Sequence, residues 1–212
     1  NMTPEDELEH APKLRQIAQH LIEMRKKDPS HKGLIYSNYL EGGVLPISRF
    51  LEKEQVPHAV FHGGLSKNEK ARLVQEYNEG KLPTLLVSSA GTEGLDLKGT
   101  RSVQVAEPHW NDSKIDQVIG RAIRYKSHAH LPEDQRKVRV MRYYASLPKP
   151  LFGKADSGIE RYMQTVSKRK SALGDEIMGA LQEASDAGPL KKTAARYGLA
   201  LDTLRRVLAR VP

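Results

Sequence analysis

The sequence predicts an α/β fold in which a parallel central sheet is covered by helices on both faces. Short apolar runs alternate with helical stretches, and this order favours neighbouring strands that run in the same direction. Parallel strands need crossover connections, which are right-handed. Glycine-rich breaks follow several of the apolar runs, at the carboxyl ends of strands where such sheets bind ligands.

Five apolar runs predict the strands, at residues 33–36, 58–61, 84–88, 102–106 and 137–145. Helices are predicted between them, at residues 44–54, at residues 66–78 and from an N-cap at Asn111 onward. Pro46 is tolerated because it falls in the first turn of its helix. Ser66 and Glu69 form an S-x-x-E capping box, and Gly80 lies just beyond the end of that helix.

The end of the third strand carries the first candidate site. Residues 88–97 read Ser-Ser-Ala-Gly-Thr-Glu-Gly-Leu-Asp-Leu. Gly91 and Gly94 are three apart and would let the backbone approach a ligand closely. Asp96 offers a carboxylate to ribose hydroxyls or to a positioned water. The alternative is a tight connection between a strand and a helix, with no ligand.

A second candidate site is the Q-x-x-G-R-x-x-R motif of residues 117–124. Arg121 and Arg124 are three apart on a predicted helix, so both guanidinium groups project from one face. A planar, permanently charged fork suits phosphate oxygens, and arginines of this kind recur in nucleotide hydrolysis. The alternative is an ordinary amphipathic helix with solvated arginines.

The order of these motifs resembles the second RecA-like lobe of superfamily 2 helicases and translocases. Residues 36–38 are similar to the fourth helicase motif, residues 88–97 to the fifth and residues 117–124 to the sixth. The run of residues 107–111 is most like that of Swi2/Snf2-like helicases and nucleoside triphosphatases of large DNA viruses. The resemblance spans residues 34–187, although Asp96 stands where asparagine is more usual in the Swi2/Snf2 form.

The resemblance implies a RecA-like three-layer lobe followed by a helical C-terminal extension, and it implies roles for three sets of residues. The catalytic set holds the arginine fingers and the glutamine of the sixth motif: Arg121, Arg124 and Gln117. The nucleotide-binding set comprises Glu93, Gly94, Asp96 and Gly120. The nucleic-acid-binding set comprises Tyr36, Ser37, Asn38, His62, Gly63, Ser88, Ser89, Gly91 and Thr92.

The 212 residues contain neither a G-x-x-x-x-G-K-[ST] loop nor an apolar strand that ends in D-E-x-x. In the family these elements belong to the first RecA-like lobe of the same polypeptide. ATP and Mg²⁺ are therefore expected to be bound mainly by that lobe. The chain is expected to be inactive as an ATPase without it.

Four segments are predicted: a helical lead-in over residues 1–30, the lobe over 31–150, a helical extension over 151–187 and a two-helix tail over 188–212. The tail resembles a helix-turn-helix, whose second helix would bring Arg205 and Arg206 to DNA. A two-helix cap that packs on the lobe is the favoured alternative.

Composition indicates a nucleic-acid partner, expected to be duplex DNA. The chain has 34 Lys and Arg against 26 Asp and Glu, a formal charge of +8. The absence of cysteine excludes disulfides and Cys-based zinc sites. No apolar run reaches the roughly 20 residues of a membrane span, and the N-terminus is unlike a signal peptide. An intracellular location is expected, without a choice between cytoplasm, nucleus and viral factory.

Several features have plainer interpretations. The pair His128 and His130 is interpreted as part of a polar loop, so no metal site is predicted. The basic run of residues 168–170 is interpreted as a solvated helix face. The rival function is a non-catalytic RecA-like module that binds nucleic acid or serves as a scaffold. A nucleotide-sugar transferase lobe would explain the glycine-rich turn but not Q-x-x-G-R-x-x-R.

Overall fold

The computed structural model describes residues 10–92, 94–109, 112–122, 127–129, 131–133, 136–145 and 158–185. The chain divides into two compact units, Asn1–Met163 and Gln164–Pro212. The first unit contains the sheet and the helices that cover it. The second contains most of one long helix. The predicted tail of residues 188–212, including Arg205 and Arg206, lies outside the described residues.

Five strands form the sheet: β1 (Gly33–Ser37), β2 (Ala59–Phe61), β3 (Thr84–Ser88), β4 (Ser102–Val105) and β5 (Arg139–Arg142). Five helices are described: α1 (Pro12–Lys27), α2 (Leu45–Lys53), α3 (Lys67–Asn78), α4 (Asp112–Ala122) and α5 (Gly158–Ser185). The strand order is β2-β3-β1-β4-β5 and every pair is parallel. This confirms the predicted parallel sheet.

Helices cover both faces of the sheet, as the prediction of three layers requires. Along β1, Leu34 and Tyr36 face one layer, whereas Ile35 faces the other. The first layer is formed by α3 and α4, and the second by α1 and α2. Strands β1, β3 and β4 are buried along their whole length. The apolar residues of β1 and β3 form continuous runs, whereas β4 alternates Ser and Gln with Val.

The start of α3 agrees closely with its prediction. The Ser66 hydroxyl accepts the Glu69 backbone N–H at 3.3 Å, and the Glu69 carboxylate accepts the Ser66 N–H at 2.8 Å, so the capping box is complete. Gly80 follows the helix with a φ of +79°, a left-handed conformation that glycine adopts without strain. The Asn111 N-cap lies outside the described residues.

Some predicted element boundaries were wrong. The last strand was predicted over residues 137–145, but β5 spans only four residues and is largely exposed at the edge of the sheet. Residues Leu40–Val44 form a π-helical turn, so α2 begins one residue later than predicted. His58 lies outside β2, and its ring contacts the Val56 carbonyl oxygen at 2.7 Å and the Ser48 hydroxyl at 2.8 Å.

The long helix α5 lies within the helical extension that was predicted over residues 151–187. The basic run of residues 168–170 is exposed, in agreement with its interpretation as a solvated face. Among the described helices, none combines the length and the apolar character that a bilayer crossing requires.

Gly91 allows two strand ends to meet, and its replacement should destabilise the fold. A Cβ atom there would lie 2.5 Å from the Phe61 carbonyl oxygen and 2.8 Å from the His62 Cα. Because these are backbone atoms, Gly91→Ala should lower the free energy of unfolding by about 1–3 kcal/mol. Chemical denaturation measures the change. Gly42→Ala is the control, since its Cβ would meet nothing within 4 Å. Equal stability of the two variants would contradict the steric argument.

Candidate functional site

The loops that follow four strands meet at the carboxyl edge of the sheet. The Ser89 hydroxyl, after β3, donates to the carbonyl oxygen of Asn38, after β1, at 3.2 Å. The Asn38 side-chain amide in turn donates to the Pro108 carbonyl oxygen, after β4, at 3.4 Å. Gly91 packs on the end of β2. Segments that are up to 70 residues apart in sequence are thereby fixed against one another.

A small cavity of about 60 Å³ brings three of the predicted motifs together. Its walls come from β1, from the turn after β3 and from α4: Tyr36, Ser89, Thr92, Gln117, Val118 and Arg121. Pockets that enclose small-molecule ligands measure roughly 300–1,000 Å³. The cavity is therefore a point of contact where the fifth and sixth motifs meet, and it is too small to enclose a nucleotide.

Backbone contacts hold α4 against the turn that contains Gly94 and Asp96. The Leu97 N–H donates to the Arg121 carbonyl oxygen at 3.4 Å. The Asn78 side chain, at the end of α3, donates to the Asp96 carbonyl oxygen at 2.9 Å. Gly94 has a φ of +86°, so the turn itself requires glycine at this position. The exposed Asp96 thus lies on a turn that is fixed from both helices of its layer.

Gly120 differs from Gly94 because no contact among the described residues requires a glycine there. It lies in the last described turn of α4 and is exposed, and a Cβ atom there would meet nothing within 4 Å. Its φ is not positive. Glycine costs a helix up to about 1 kcal/mol relative to alanine, and the described part of the lobe shows no contact that offsets that cost. The missing side chain leaves the surface next to Arg121 open.

The predicted nucleic-acid-binding residues divide by burial. Side chains that reach the surface or lie half-buried are Asn38, His62, Ser89 and Thr92, and Gly63 is exposed. Buried positions are Tyr36, Ser37, Ser88 and Gly91. The Tyr36 hydroxyl donates to the Asn38 side chain at 3.0 Å, and burial raises the pKa of Tyr36. The buried side chains can shape this edge, whereas the half-buried side chains are partly accessible to solvent.

Glu107 is a site residue that the sequence analysis did not select. Its buried carboxylate, just beyond β4, accepts the Ser37 hydroxyl at 3.0 Å and the Asn38 backbone N–H at 2.9 Å. Burial raises the pKa of Glu107, although the hydrogen bond from Asn38 and the charge of Lys13 oppose the change. An acidic residue directly after an apolar strand was the available signal. Glu107 fixes the segment after β1.

Gly43 completes the packing around this carboxylate. A Cβ atom on Gly43 would lie 2.0 Å from the Ser37 hydroxyl oxygen and 3.6 Å from Glu107 Oε1. Only glycine therefore lets the π-helical turn close over the hydrogen-bonded pair.

Four predicted site residues fall outside the described residues: Glu93, Arg124, Arg205 and Arg206. His128 is described and buried. Its ring contacts the Ser127 hydroxyl at 2.7 Å and the Thr100 carbonyl oxygen at 2.5 Å, which gives it a structural role. Within the part of the chain that the structure describes, no three acidic, histidine or cysteine residues gather into a metal site.

Comparison with known families decides the identity of the lobe. Residues 12–126 match the model of the helicase conserved C-terminal domain. The chain belongs to this family. The match covers β1 to α4 and therefore includes every residue that lines the small cavity.

The relatives of this helicase C-terminal domain include proteins of large DNA viruses. A protein of Acanthamoeba polyphaga mimivirus named "Putative ATP-dependent RNA helicase L538" is 38% identical, over 82% of this chain and 38% of its own length. A "Termination factor NPH-I homolog" of African swine fever virus is 30% identical, over 68% of this chain and 21% of its own length. The chain spans well under half of either relative. The predicted resemblance is confirmed.

The fold has a counterpart among solved structures. The crystal structure of the C-terminal part of the Fun30 ATPase domain aligns with a TM-score of 0.55 at 18% identity, over 70% of this chain and 44% of that one. This likeness supports the RecA-like α/β fold of the lobe.

The buried Glu107 should make the stability of the helicase C-terminal domain depend on pH. Because folding raises its pKa, the proton binds more tightly in the folded state, and stability falls as the pH rises through the folded pKa. Glu107→Gln cannot titrate. Its free energy of unfolding relative to the parent should therefore increase between pH ~4 and pH ~7.

Urea denaturation across this pH range measures the effect. Glu79→Gln is the matched control, because the hydrogen bond from Lys81 lowers the pKa of Glu79 and gives the opposite trend. A flat difference between Glu107→Gln and the parent would show that folding does not perturb this carboxyl.

Proposed function

We propose that this chain is the second motor lobe of an ATP-dependent nucleic-acid helicase or translocase of superfamily 2. In the complete motor, ATP would lie between this lobe and a first RecA-like lobe of the same polypeptide. Arg121 and Arg124 would complete the site from this side. The observation that carries the proposal is the cavity in which Gln117 and Arg121 meet the glycine-rich turn after β3.

The position of Arg121 suits an arginine that acts on phosphate. Arg121 is half-buried and lines the small cavity together with Ser89 and Thr92, and its carbonyl oxygen accepts the Leu97 N–H. A guanidinium that is partly withdrawn from water and held in place stabilises developing negative charge better than a mobile surface group. Arg124 lies outside the described residues, so its proposed role rests on the sequence motif alone.

The proposed nucleotide site fits the residues that are present. Gly120 leaves open surface beside Arg121, and Asp96 lies on the adjoining fixed turn. ATP supplies the phosphoryl group whose hydrolysis drives the motor. The chain's own part would be to place Arg121, Arg124 and Gln117 against the phosphates and to let Asp96 and Gly94 contact the nucleotide. Mg²⁺ would be held by the first lobe, since the described residues offer no acidic cluster.

Nucleic acid would bind along the carboxyl edge of the sheet. Asn38, His62, Ser89 and Thr92 present amide, imidazole and hydroxyl groups there, next to exposed glycine backbone. Such groups bind phosphate and sugar and carry no sequence information, which suits a motor that must step along any sequence. We propose duplex DNA as the track. The mimivirus relative is named an RNA helicase, so RNA duplexes belong in the same assay.

Arg121 should be required for turnover in a polypeptide that also contains the first lobe. Arg121→Ala should lower the ATPase rate by about 10³-fold, because a transition-state arginine contributes at least that much. Arg121→Lys should not restore the rate, since an ammonium lacks the fork. Steady-state ATP hydrolysis with duplex DNA or RNA is the measurement.

Two controls accompany this test. Arg15→Ala removes an exposed arginine from α1, on the opposite layer, and should leave the rate unchanged. The 212-residue chain by itself should show negligible hydrolysis. Near-normal turnover in Arg121→Ala would mean that α4 is merely structural, and hydrolysis by the isolated chain would refute the role of second lobe.

Replacing Gly120 should have opposite effects on the stability of the lobe and on ATP turnover. Gly120→Ala should leave the lobe as stable or stabilise it by up to about 1 kcal/mol, because alanine favours the helix. Turnover of the two-lobe protein should nevertheless fall, since a methyl group would occupy the surface that faces the nucleotide.

Gly174→Ala is the matched control for Gly120→Ala. Gly174 lies in α5, and a Cβ atom there also meets nothing within 4 Å, so stability should change in the same direction while turnover does not. Thermal melts and ATPase rates on the same preparations compare them. Unchanged turnover in Gly120→Ala would remove this surface from the proposed nucleotide site.

A further inference from the structure

The amino edge of the sheet, at the opposite end of the strands, contains an open cleft of about 570 Å³. We call it the amino-edge cleft. It lies between the end of α1 and the starts of β1, β4 and β5, and its lining residues are Met24, Lys27, Asp28, His31, Arg101, Lys137, Val138 and Arg139. None of these residues belongs to the helicase motifs at the carboxyl edge.

The charge of the amino-edge cleft is strongly one-sided. Its described lining has four basic side chains and one acidic side chain, Asp28. His31 adds no charge at neutral pH, because burial and the neighbouring Arg101 lower its pKa to about 4. Its ring is instead bonded to the Ser102 hydroxyl at 2.8 Å. The cleft therefore has a net charge of about +3, which attracts anions.

Asp28 holds together segments that line the cleft, and it offsets only one of the four positive charges. One carboxylate oxygen accepts the Ser30 N–H at 3.0 Å and the Ser30 hydroxyl at 2.6 Å. The other is paired with the Arg101 guanidinium. A guanidinium has five N–H donors, so Arg101 can hold this carboxylate and still contact a phosphate.

The floor of the cleft is also fixed by backbone hydrogen bonds. The Arg101 N–H donates to the Lys32 carbonyl oxygen at 2.8 Å, and the Arg139 N–H donates to the Arg101 carbonyl oxygen at 2.9 Å. The Arg25 guanidinium donates to the His31 carbonyl oxygen at 2.9 Å. Little ordering of the backbone is then needed when a ligand binds, which favours affinity.

The fold gives no reason for this concentration of positive charge. Lys27, Lys137 and Arg139 are exposed, and the like charges repel one another across the cleft. Lys27 lies at the end of α1, Lys137 just before β5 and Arg139 at its start, and Arg101 directly precedes β4. This wide arrangement fits several phosphates of one strand better than a single phosphate group.

We propose that the amino-edge cleft binds the phosphate backbone of a nucleic-acid strand at a second site, separate from the carboxyl edge. The cations contact successive phosphates, and Met24 and Val138 provide apolar contact beside them. The proposal does not rest on the motor function, because no residue of the nucleotide site takes part.

The test measures binding of a fluorescent single-stranded oligonucleotide to the 212-residue chain by anisotropy at several salt concentrations. The double variant Lys137→Gln/Arg139→Gln should weaken binding about tenfold at low salt. It should also flatten the plot of log affinity against log salt by about 0.7 unit for each lost phosphate contact. Lys27→Gln, on α1, should weaken binding less but in the same direction.

The matched control is Arg15→Gln/Arg72→Gln, which removes two exposed charges elsewhere and gives the same net charge. Equal losses of affinity in the two double variants would overturn the proposal. Binding would then depend on the overall charge of the chain and not on the cleft. None of these variants changes a residue of the proposed nucleotide site, so failure of the motor proposal remains a separate result.

A competition experiment tests whether the cleft binds the phosphates of a nucleic-acid strand or those of a free nucleotide. Unlabelled oligonucleotide should displace the probe from the parent chain, whereas ATP at the same phosphate concentration should displace it far less. Equal displacement by ATP would overturn the assignment to a strand and indicate a site for free nucleotides. Thermal melts of every variant confirm that the exposed substitutions leave the fold intact.

Discussion

The position of β1 between β3 and β4 is the constraint on which the site depends. The chain leaves β1 through α2 on one face of the sheet, whereas the segment after β3 packs on the other face through Leu95 and Leu97. Connections that depart to opposite faces leave a crevice between two strand ends, the place where α/β sheets bind ligands. The bond from Ser89 to Asn38 spans this crevice. The small cavity lies directly beside it, closed by α4.

Much of the fold could be predicted because its signals are local. The continuous apolar runs, the capping box at Ser66 and the glycine after α3 each specify structure within a few residues. The motifs at residues 88–97 and 117–124 were also predicted to act together, and Thr92, Gln117 and Arg121 do line one cavity. Their roles in hydrolysis remain predictions.

Other features could not be predicted because they depend on contacts between distant segments. The partners of Glu107 lie about 70 residues away, and a single sequence shows no link between them. The strand order is equally non-local. The shortness of β5 escaped prediction because its Val and Tyr content suggested a longer strand, whereas only four residues pair with β4. The residues that line the amino-edge cleft are scattered from Met24 to Arg139 and form no motif.

The short edge strands have a consequence for how this lobe can work beside another. The described sheet ends in β2, with three residues, and in β5, with four residues that include two arginines. Long and apolar sheet edges recruit further strands, whereas brief or charged edges resist that pairing. A neighbouring domain therefore cannot easily fuse its own sheet to this one, and the two must meet through loops and side chains. In the two-lobe motor proposed above, contacts of that kind would break and re-form as the lobes move, because no shared sheet would join them.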